Sequence, residues 1–211
     1  MARPPLGFAA ASKAQKTAFE DAVRQNNGTV LIGVHPHGLK HLLNYSGPES
    51  VFCGVPADAR AHEPYLKAIN SFLADAERRG LPVVLTEDEK HAEKTADLIA
   101  EKFPRLKGMV VPTFAITEGW NIFGGPTPKM KEEKDAANVH ITPRAERHWN
   151  EFARALKEMG ATNADVFGQK LEFKDGDPGK CVGTTMKKLK ARLPNGAECL
   201  QNLCFPPRAP R

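Results

Sequence analysis

Short apolar runs alternate with amphipathic helical patterns along most of this 211-residue chain. The runs are continuous and rich in β-branched residues, which is typical of parallel strands covered on both faces. Strict alternation of strands and helices implies right-handed βαβ crossovers. We therefore predict an α/β fold with three α/β/α layers and a mostly parallel, Rossmann-like sheet. The predicted strands cover residues 29–34, 51–55, 81–85, 107–113, 165–173 and 197–203.

Amphipathic segments separate these strands, and their ends carry helix-capping residues. Ser12 is a suitable N-cap for the first helix, and Pro64 and Pro143 occupy the favoured first position of later ones. The predicted helices cover residues 12–26, 64–79, 89–102 and 143–159, and a last one begins near Cys181. The chain length suits one domain, residues 1–211. We expect a flexible leader (1–11), a loop excursion (118–138) and a flexible tail (206–211).

Composition narrows the class of protein. No apolar run approaches the ~20 residues of a membrane span, so we expect no membrane partner. Four cysteines in a chain of this size do not indicate a disulfide framework, which favours a reducing, cytoplasmic location. The net charge of +5 concentrates around residues 187–192, without interleaved aromatic residues. A solvated helix face is the preferred interpretation, and a non-catalytic module that binds RNA or another polyanion is an alternative.

Polar residues gather where the predicted strands end. In open parallel sheets, ligands bind at the carboxyl ends of the strands. The residues that follow these strand ends are the candidates for substrate binding and catalysis. The expected partner is a small-molecule substrate. A homo-oligomer is possible as well. The candidates are His35, His37, Asp88, Glu118, Trp120, Gly179, Lys180 and Cys181.

Cys181 is the first candidate for a nucleophile. It follows a glycine-rich turn at residues 176–179 and precedes a basic helical pattern. Helix N-terminal amides and the helix dipole stabilise a thiolate, and the same amides suit a developing oxyanion. His35 or His37 is the predicted base or electrostatic partner. The alternative is that Cys181 is a small buried residue that packs the helix start.

The remaining candidates carry two interpretations each. Asp88 is either a catalytic carboxylate or the N-cap of the following helix. Glu118 and Trp120 either line a substrate pocket or anchor a loop. Arg144, at a helix start, is suited to hold a carboxylate or phosphate group, and solvent exposure is the other interpretation.

A metal site is the alternative to cysteine chemistry. His35 and His37 form an H-x-H pair that can chelate zinc or iron, and His91 is a third ligand within reach in sequence. That arrangement predicts a metal-dependent hydrolase with Cys181 in a structural role. Cysteine chemistry needs no cofactor, and none is expected in the first interpretation.

Two stretches resemble the isochorismatase-like cysteine hydrolases. Residues 68–88, AINSFLADAERRGLPVVLTED, are similar to that family's helix, glycine and strand ending in T-x-D. Residues 152–204 are similar to its closing half, where the family nucleophile falls on Cys181 with Val182 and Thr185 matching. The resemblance implies a hydrolase of a small substrate. The family aspartate after the first strand is replaced by Val34 or His35, and the family lysine has no counterpart. Either His35 or His37 replaces the base, or the activity differs from that of the family, or the protein is a non-catalytic relative.

Overall fold

The computed structural model describes residues 3–34, 70–87, 89–112, 114–115, 120–121, 143–168, 173–174, 177–178 and 180–200. The predicted strand at 51–55, the first turns of the predicted helix at 64–79 and the predicted tail at 206–211 lie outside these residues. So does all of the predicted loop excursion at 118–138 except residues 120 and 121.

A helix separates each two successive strands of the main sheet along the described chain. The first helix begins after Ser12, whose hydroxyl accepts a hydrogen bond from the Gln15 backbone, while the Gln15 side chain accepts one from the Ser12 backbone. The elements are α1 (Lys13–Gln25), β1 (Thr29–Val34), α2 (70–79 in the described part), β2 (Val83–Glu87), α3 (Glu89–Lys102), β3 (Gly108–Pro112), β4 (Phe114–Ala115), β5 (Trp120–Asn121), α4 (Pro143–Glu158), β6 (Asn163–Gly168), β7 (Phe173–Lys174), β8 (Asp177–Pro178), α5 (Lys180–Lys190) and β9 (Gly196–Cys199).

Five strands form one all-parallel sheet in the order β3-β2-β1-β6-β9. The central strand β1 is buried along most of its length, and its Leu31 is in register with Val83 of β2 and Asp165 of β6. This arrangement confirms the predicted α/β fold with a Rossmann-like parallel sheet. Two further pairs, β4–β5 and β7–β8, are short antiparallel hairpins.

Each face of the sheet carries its own layer of helices and its own apolar cluster. On one face, Phe19 of α1, Trp149 of α4 and Val182 of α5 pack over Ile32 and Val166. On the other, Leu73 of α2 and Ile99 of α3 pack over the opposite sides of the strands. The chain winds outward from β1 to β3, then returns to β6. The winding therefore reverses between β1 and β6, and this is the topological switch point of the sheet.

The predicted strand at residues 165–173 is two separate elements. Strand β6 begins earlier, at Asn163, and ends at Gly168, which is in register with Val34, the last residue of β1. Beyond that pair, β6 has no described neighbour with which to continue the ladder. Phe173–Lys174 instead pairs with Asp177–Pro178, so the predicted glycine-rich turn at 176–179 includes one strand of a hairpin. The predicted strand at 197–203 is β9 up to Cys199, and residues 201–203 lie outside the described chain.

The N-terminal segment from residue 3 onward lies along the outer edge of β3. Leu6 bridges to Val110, the Gly7 N–H donates to the Val110 carbonyl at 2.7 Å, and the Val110 N–H donates to the Pro5 carbonyl at 3.0 Å. Arg3 pairs with Asp97 of α3 at 2.6 Å. Residues 5–7 of the predicted leader (1–11) thus have hydrogen-bonded partners on β3. These contacts supply partners for the outward N–H and C=O groups of an edge strand.

Candidate functional site

The backbones of β1 and β6 approach each other closely at the switch point. A Cβ placed on Gly168 would lie 2.3 Å from the carbonyl oxygen of Val34 and 2.7 Å from its Cβ. Only glycine permits this approach without a shift of one strand. The pair therefore fixes the carboxyl ends of the two central strands, which is where doubly wound folds bind their ligands.

Helix α5 begins on the chain segment that follows β6. It starts at Lys180, directly after the β7–β8 hairpin, so Cys181 lies in its first turn, as predicted. Val182, Thr185 and Leu189 are buried, and Val182 and Leu189 belong to the apolar cluster that covers β1 and β6. This packing anchors the helix on the sheet. The side chain of Cys181 lies outside the described part of the structure.

The other predicted site residues divide into two groups. His35, His37, Asp88, Glu118 and Gly179 lie outside the described residues. For the rest, the structure gives the backbone position only. Trp120 is in β5, opposite Ala115, and not in an irregular loop. His91 is in the first turn of α3, Arg144 is in that of α4, and Lys180 begins α5.

The layers of the fold separate some of these positions. Arg144 and Lys180 begin helices on the same face of the sheet as Cys181. His91 begins α3, which covers the opposite face. Helix α3 starts at Glu89, and the two interpretations of Asp88, catalytic carboxylate or N-cap, fall on a residue outside the described chain. Within the described part of the chain, no three His, Cys, Asp or Glu side chains come together to hold a metal ion.

Glu87 is the carboxylate that the structure adds to this edge. It ends β2, is fully buried, and accepts a hydrogen bond from the hydroxyl of Thr95 on α3 at 3.1 Å. Because side chains alternate along a strand, Glu87 shares its face with Val83 and Leu85, both of the α2–α3 apolar cluster. The sequence predicts Asp88 in this role. No local sequence signal distinguishes Glu87 from Asp88, because the burial of Glu87 depends on the docking of α3 over β2.

The basic strip at residues 187–192 is only partly a solvated face. Lys188 and Arg192 both pair with Glu146 of α4, and Arg192 also donates to Asn150 at 2.9 Å. The hydrogen bond from Lys188 is the main cause that lowers the pKa of the Glu146 carboxyl, with a smaller contribution from Arg192. Lys187 and Lys190 remain exposed. Two cations of the strip are thus engaged within the protein, which weakens the case for a polyanion-binding surface.

An acidic pair lies where β6 meets the edge strand β9. Asp165 is directly opposite Glu198 in register, and Leu31 flanks it on the other side. Partial burial, and then the Glu198 charge, raise the pKa of the Asp165 carboxyl, while Arg79 of α2 opposes them. Like charges directly opposite on neighbouring strands are destabilising.

We expect Asp165→Asn to stabilise the fold at neutral pH, by up to about 1 kcal/mol. A carboxyl whose pKa is raised on folding costs stability above its folded pKa, and the cost disappears as pH falls below the ordinary aspartate value of 3.8. Urea unfolding at pH 7 and near pH 3.5 measures the difference. Glu198→Gln should give a smaller gain at pH 7, because it removes the charge repulsion and leaves the burial of the Asp165 carboxylate, and the double variant should give less than the sum. Equal effects of Asp165→Asn at both pH values would show that charge repulsion is not the cause.

No protein-family model, curated protein or solved structure matches this chain. Among the described helices, none is long and apolar enough to cross a membrane. The chemistry of the site therefore has to be inferred from its own residues.

Proposed function

We propose that the chain is a hydrolase or acyl-transfer enzyme that acts on a small, anionic substrate through Cys181. The observation that carries the proposal is the position of Cys181 in the first turn of α5, a helix that follows β6 of the switch-point pair. Val182 and Leu189 anchor that helix on the central strands. In a parallel α/β sheet, the start of a helix that follows a strand lies at the carboxyl edge of the sheet, which is where such proteins bind their ligands.

The start of α5 offers the groups that such a reaction needs. The first N–H groups of a helix have no partner within the helix, and the dipole favours negative charge there. Both effects favour the thiolate of Cys181 over its thiol. The thiolate would attack the substrate carbonyl carbon to form a C–S bond, and backbone N–H groups of residues 181–183 would hold the resulting oxyanion.

The second half of the reaction needs a proton donor and acceptor. Collapse of the oxyanion breaks the bond to the leaving group, which takes a proton from the base. Water, or an acceptor alcohol or amine, then gives a proton to the base as it attacks the thioester, and collapse of the second oxyanion releases the Cys181 thiolate beside the protonated base. His35 or His37, each of which follows β1 in sequence, is the proposed base.

The substrate class follows from the charges near the helix starts. Lys180 begins α5, and Arg144 lies in the first turn of α4 on the same face of the sheet. Cations at helix N-termini are opposed by the helix dipole, so their placement there favours binding of an anionic group. The elements on which the isochorismatase-like resemblance relies, from α2 to β2 and from α4 to β9, occur in the expected order and support the same class of chemistry.

Selective alkylation tests the proposal. At neutral pH, we expect iodoacetamide to label Cys181 at least about tenfold faster than Cys199, because an ordinary thiol is only a few per cent thiolate at that pH. Cys199 is partly exposed and lies in β9, far along the chain from any helix start, and it is the internal reference. Mass spectrometry of tryptic peptides at increasing labelling times gives the rate at each cysteine.

The matched variants are Cys181→Ala and Cys199→Ala. We expect Cys181→Ala to lose the fast labelling and all turnover of a panel of small amides and esters of anionic acids. Cys199→Ala should retain both. Equal labelling rates at the two cysteines, or turnover that survives Cys181→Ala, would contradict a cysteine nucleophile.

A further inference from the structure

The amino-terminal end of the sheet holds a cavity distinct from the switch-point edge. It lies between the N-terminal segment, α1 and the start of β3, and its volume is ≈ 210 Å³. We propose that this cavity binds a small carboxylic acid with an apolar body. The site is independent of the cysteine chemistry proposed above, because it lies at the opposite ends of the strands.

The inner wall of the cavity is apolar. Phe19 and Met109 are buried members of the cluster that covers β1 and β6, and Leu106 packs on the opposite cluster. Pro4 and Pro5 of the N-terminal segment form the facing wall and are themselves buried. A ligand body in this space would be removed from water on several sides, and burial of its apolar surface favours binding.

The rim of the cavity is positively charged. Arg105 and Lys107 line it, both are exposed, and no aspartate or glutamate is among the lining residues. A second cavity near the same end of the sheet differs in this respect, since Glu20 and Glu158 line it with Arg24. An apolar interior with two cations at its mouth matches a ligand that has an apolar body and one carboxylate.

The walls are held in place without a ligand. The Gln15 side chain donates to the Arg3 carbonyl at 3.2 Å, which ties the N-terminal segment to α1. The backbone N–H of Arg105 donates to Glu77 at 2.8 Å, which fixes the loop before β3. A preformed cavity binds with a smaller loss of conformational freedom.

Size limits the ligand. The volume of ≈ 210 Å³ makes this a small site. A single aromatic ring with one carboxylate is a compact ligand that combines the apolar body and the negative charge that the lining favours. Fluorobenzoate is therefore a suitable probe, and fluorobenzyl alcohol is its uncharged counterpart.

Fluorine NMR titration of the full chain tests the proposal. We expect saturable binding of 4-fluorobenzoate with a Kd on the order of 1 mM, and binding of 4-fluorobenzyl alcohol about fivefold weaker. In Arg105→Ala/Lys107→Ala, the acid should bind no better than the alcohol. Ala18→Leu, which places a larger side chain in the cavity, should weaken binding of both probes.

The control removes two cations elsewhere. Lys187 and Lys190 are exposed on α5, so Lys187→Ala/Lys190→Ala makes the same change in net charge without touching the cavity. That variant should bind 4-fluorobenzoate as the wild type does. Absence of saturable binding in the wild type, equal binding of acid and alcohol, or an equal loss in the control variant would each overturn the proposal.

Discussion

Gly168→Ala is expected to lower the free energy of unfolding by about 3 kcal/mol, because the added methyl group overlaps backbone atoms of the neighbouring strand. The added Cβ would lie 2.3 Å from the Val34 carbonyl oxygen and 2.9 Å from the Val34 nitrogen. Both are backbone atoms of a buried strand, so no side-chain rotation relieves the contact. One of the two central strands must move, and the register between Val34 and Gly168 is lost with it. Guanidinium unfolding followed by circular dichroism measures the loss.

Gly108→Ala is the matched control for this prediction. Gly108 is also in a strand of the parallel sheet, but a Cβ there would meet its nearest atom, Leu106 Cδ2, at 3.4 Å. We expect a change of less than about 1 kcal/mol at this position, because the contact is of ordinary van der Waals length and involves a flexible side chain. If both substitutions cost the same, the close approach of β1 and β6 is not what requires glycine at residue 168.

Local sequence patterns were sufficient to predict most of the fold. The predicted helix at 12–26 is Lys13–Gln25, and the predicted helix at 143–159 is Pro143–Glu158. Capping residues and apolar periodicity fix such boundaries within a few residues of chain. The continuous apolar run at Thr29–Val34 likewise indicated a strand buried on both faces, and it is the central strand of the sheet.

These local patterns could not predict which distant segments of the chain pair with each other. Nothing in the sequence near Leu6 indicates that it bridges to Val110, so the segment was expected to be flexible. Strand β6 ends at Gly168, whose register partner is Val34 at the end of β1. Register partners in these two strands are 134 residues apart in the chain. Glu146 binds Lys188 and Arg192, which are 42 and 46 residues away in sequence.

The candidate site likewise has one feature that a local pattern predicts and one that depends on contacts between distant segments. A glycine-rich turn followed by a helical pattern is a local signal, and it placed Cys181 at a helix start. The role of Glu87 is not local, because its burial depends on the docking of α3 over β2. From sequence alone, Glu87 and Asp88 were equivalent acidic residues at the end of a strand.

Thr95→Val is expected to lower the free energy of unfolding by about 2 kcal/mol, because it removes a hydroxyl that donates to a buried carboxylate. Glu87 and Thr95 are both fully buried, and their oxygen atoms are 3.1 Å apart. Valine has nearly the shape of threonine, so the substitution creates no cavity. Thr95→Ser retains the donor and is the matched control. Should serine cost as much as valine, the hydrogen bond is not the source of the loss.

A double-mutant cycle then isolates the pair. In a Glu87→Leu background, the hydroxyl of Thr95 has lost its acceptor, so Thr95→Val should be neutral or stabilising there. The neighbouring Leu85, Ala92 and Ile99 form an apolar cluster in which leucine and valine at these positions can pack. Replacement of both partners of a buried hydrogen bond by apolar groups of similar shape is often nearly neutral or stabilising. The Glu87→Leu/Thr95→Val variant is then compared with the wild type in stability and in turnover. Higher stability with slower turnover would place the Glu87 carboxylate in the active site, because residues that a protein retains at a cost in stability cluster at functional sites. Full activity in that stable variant would assign the pair to the fold alone.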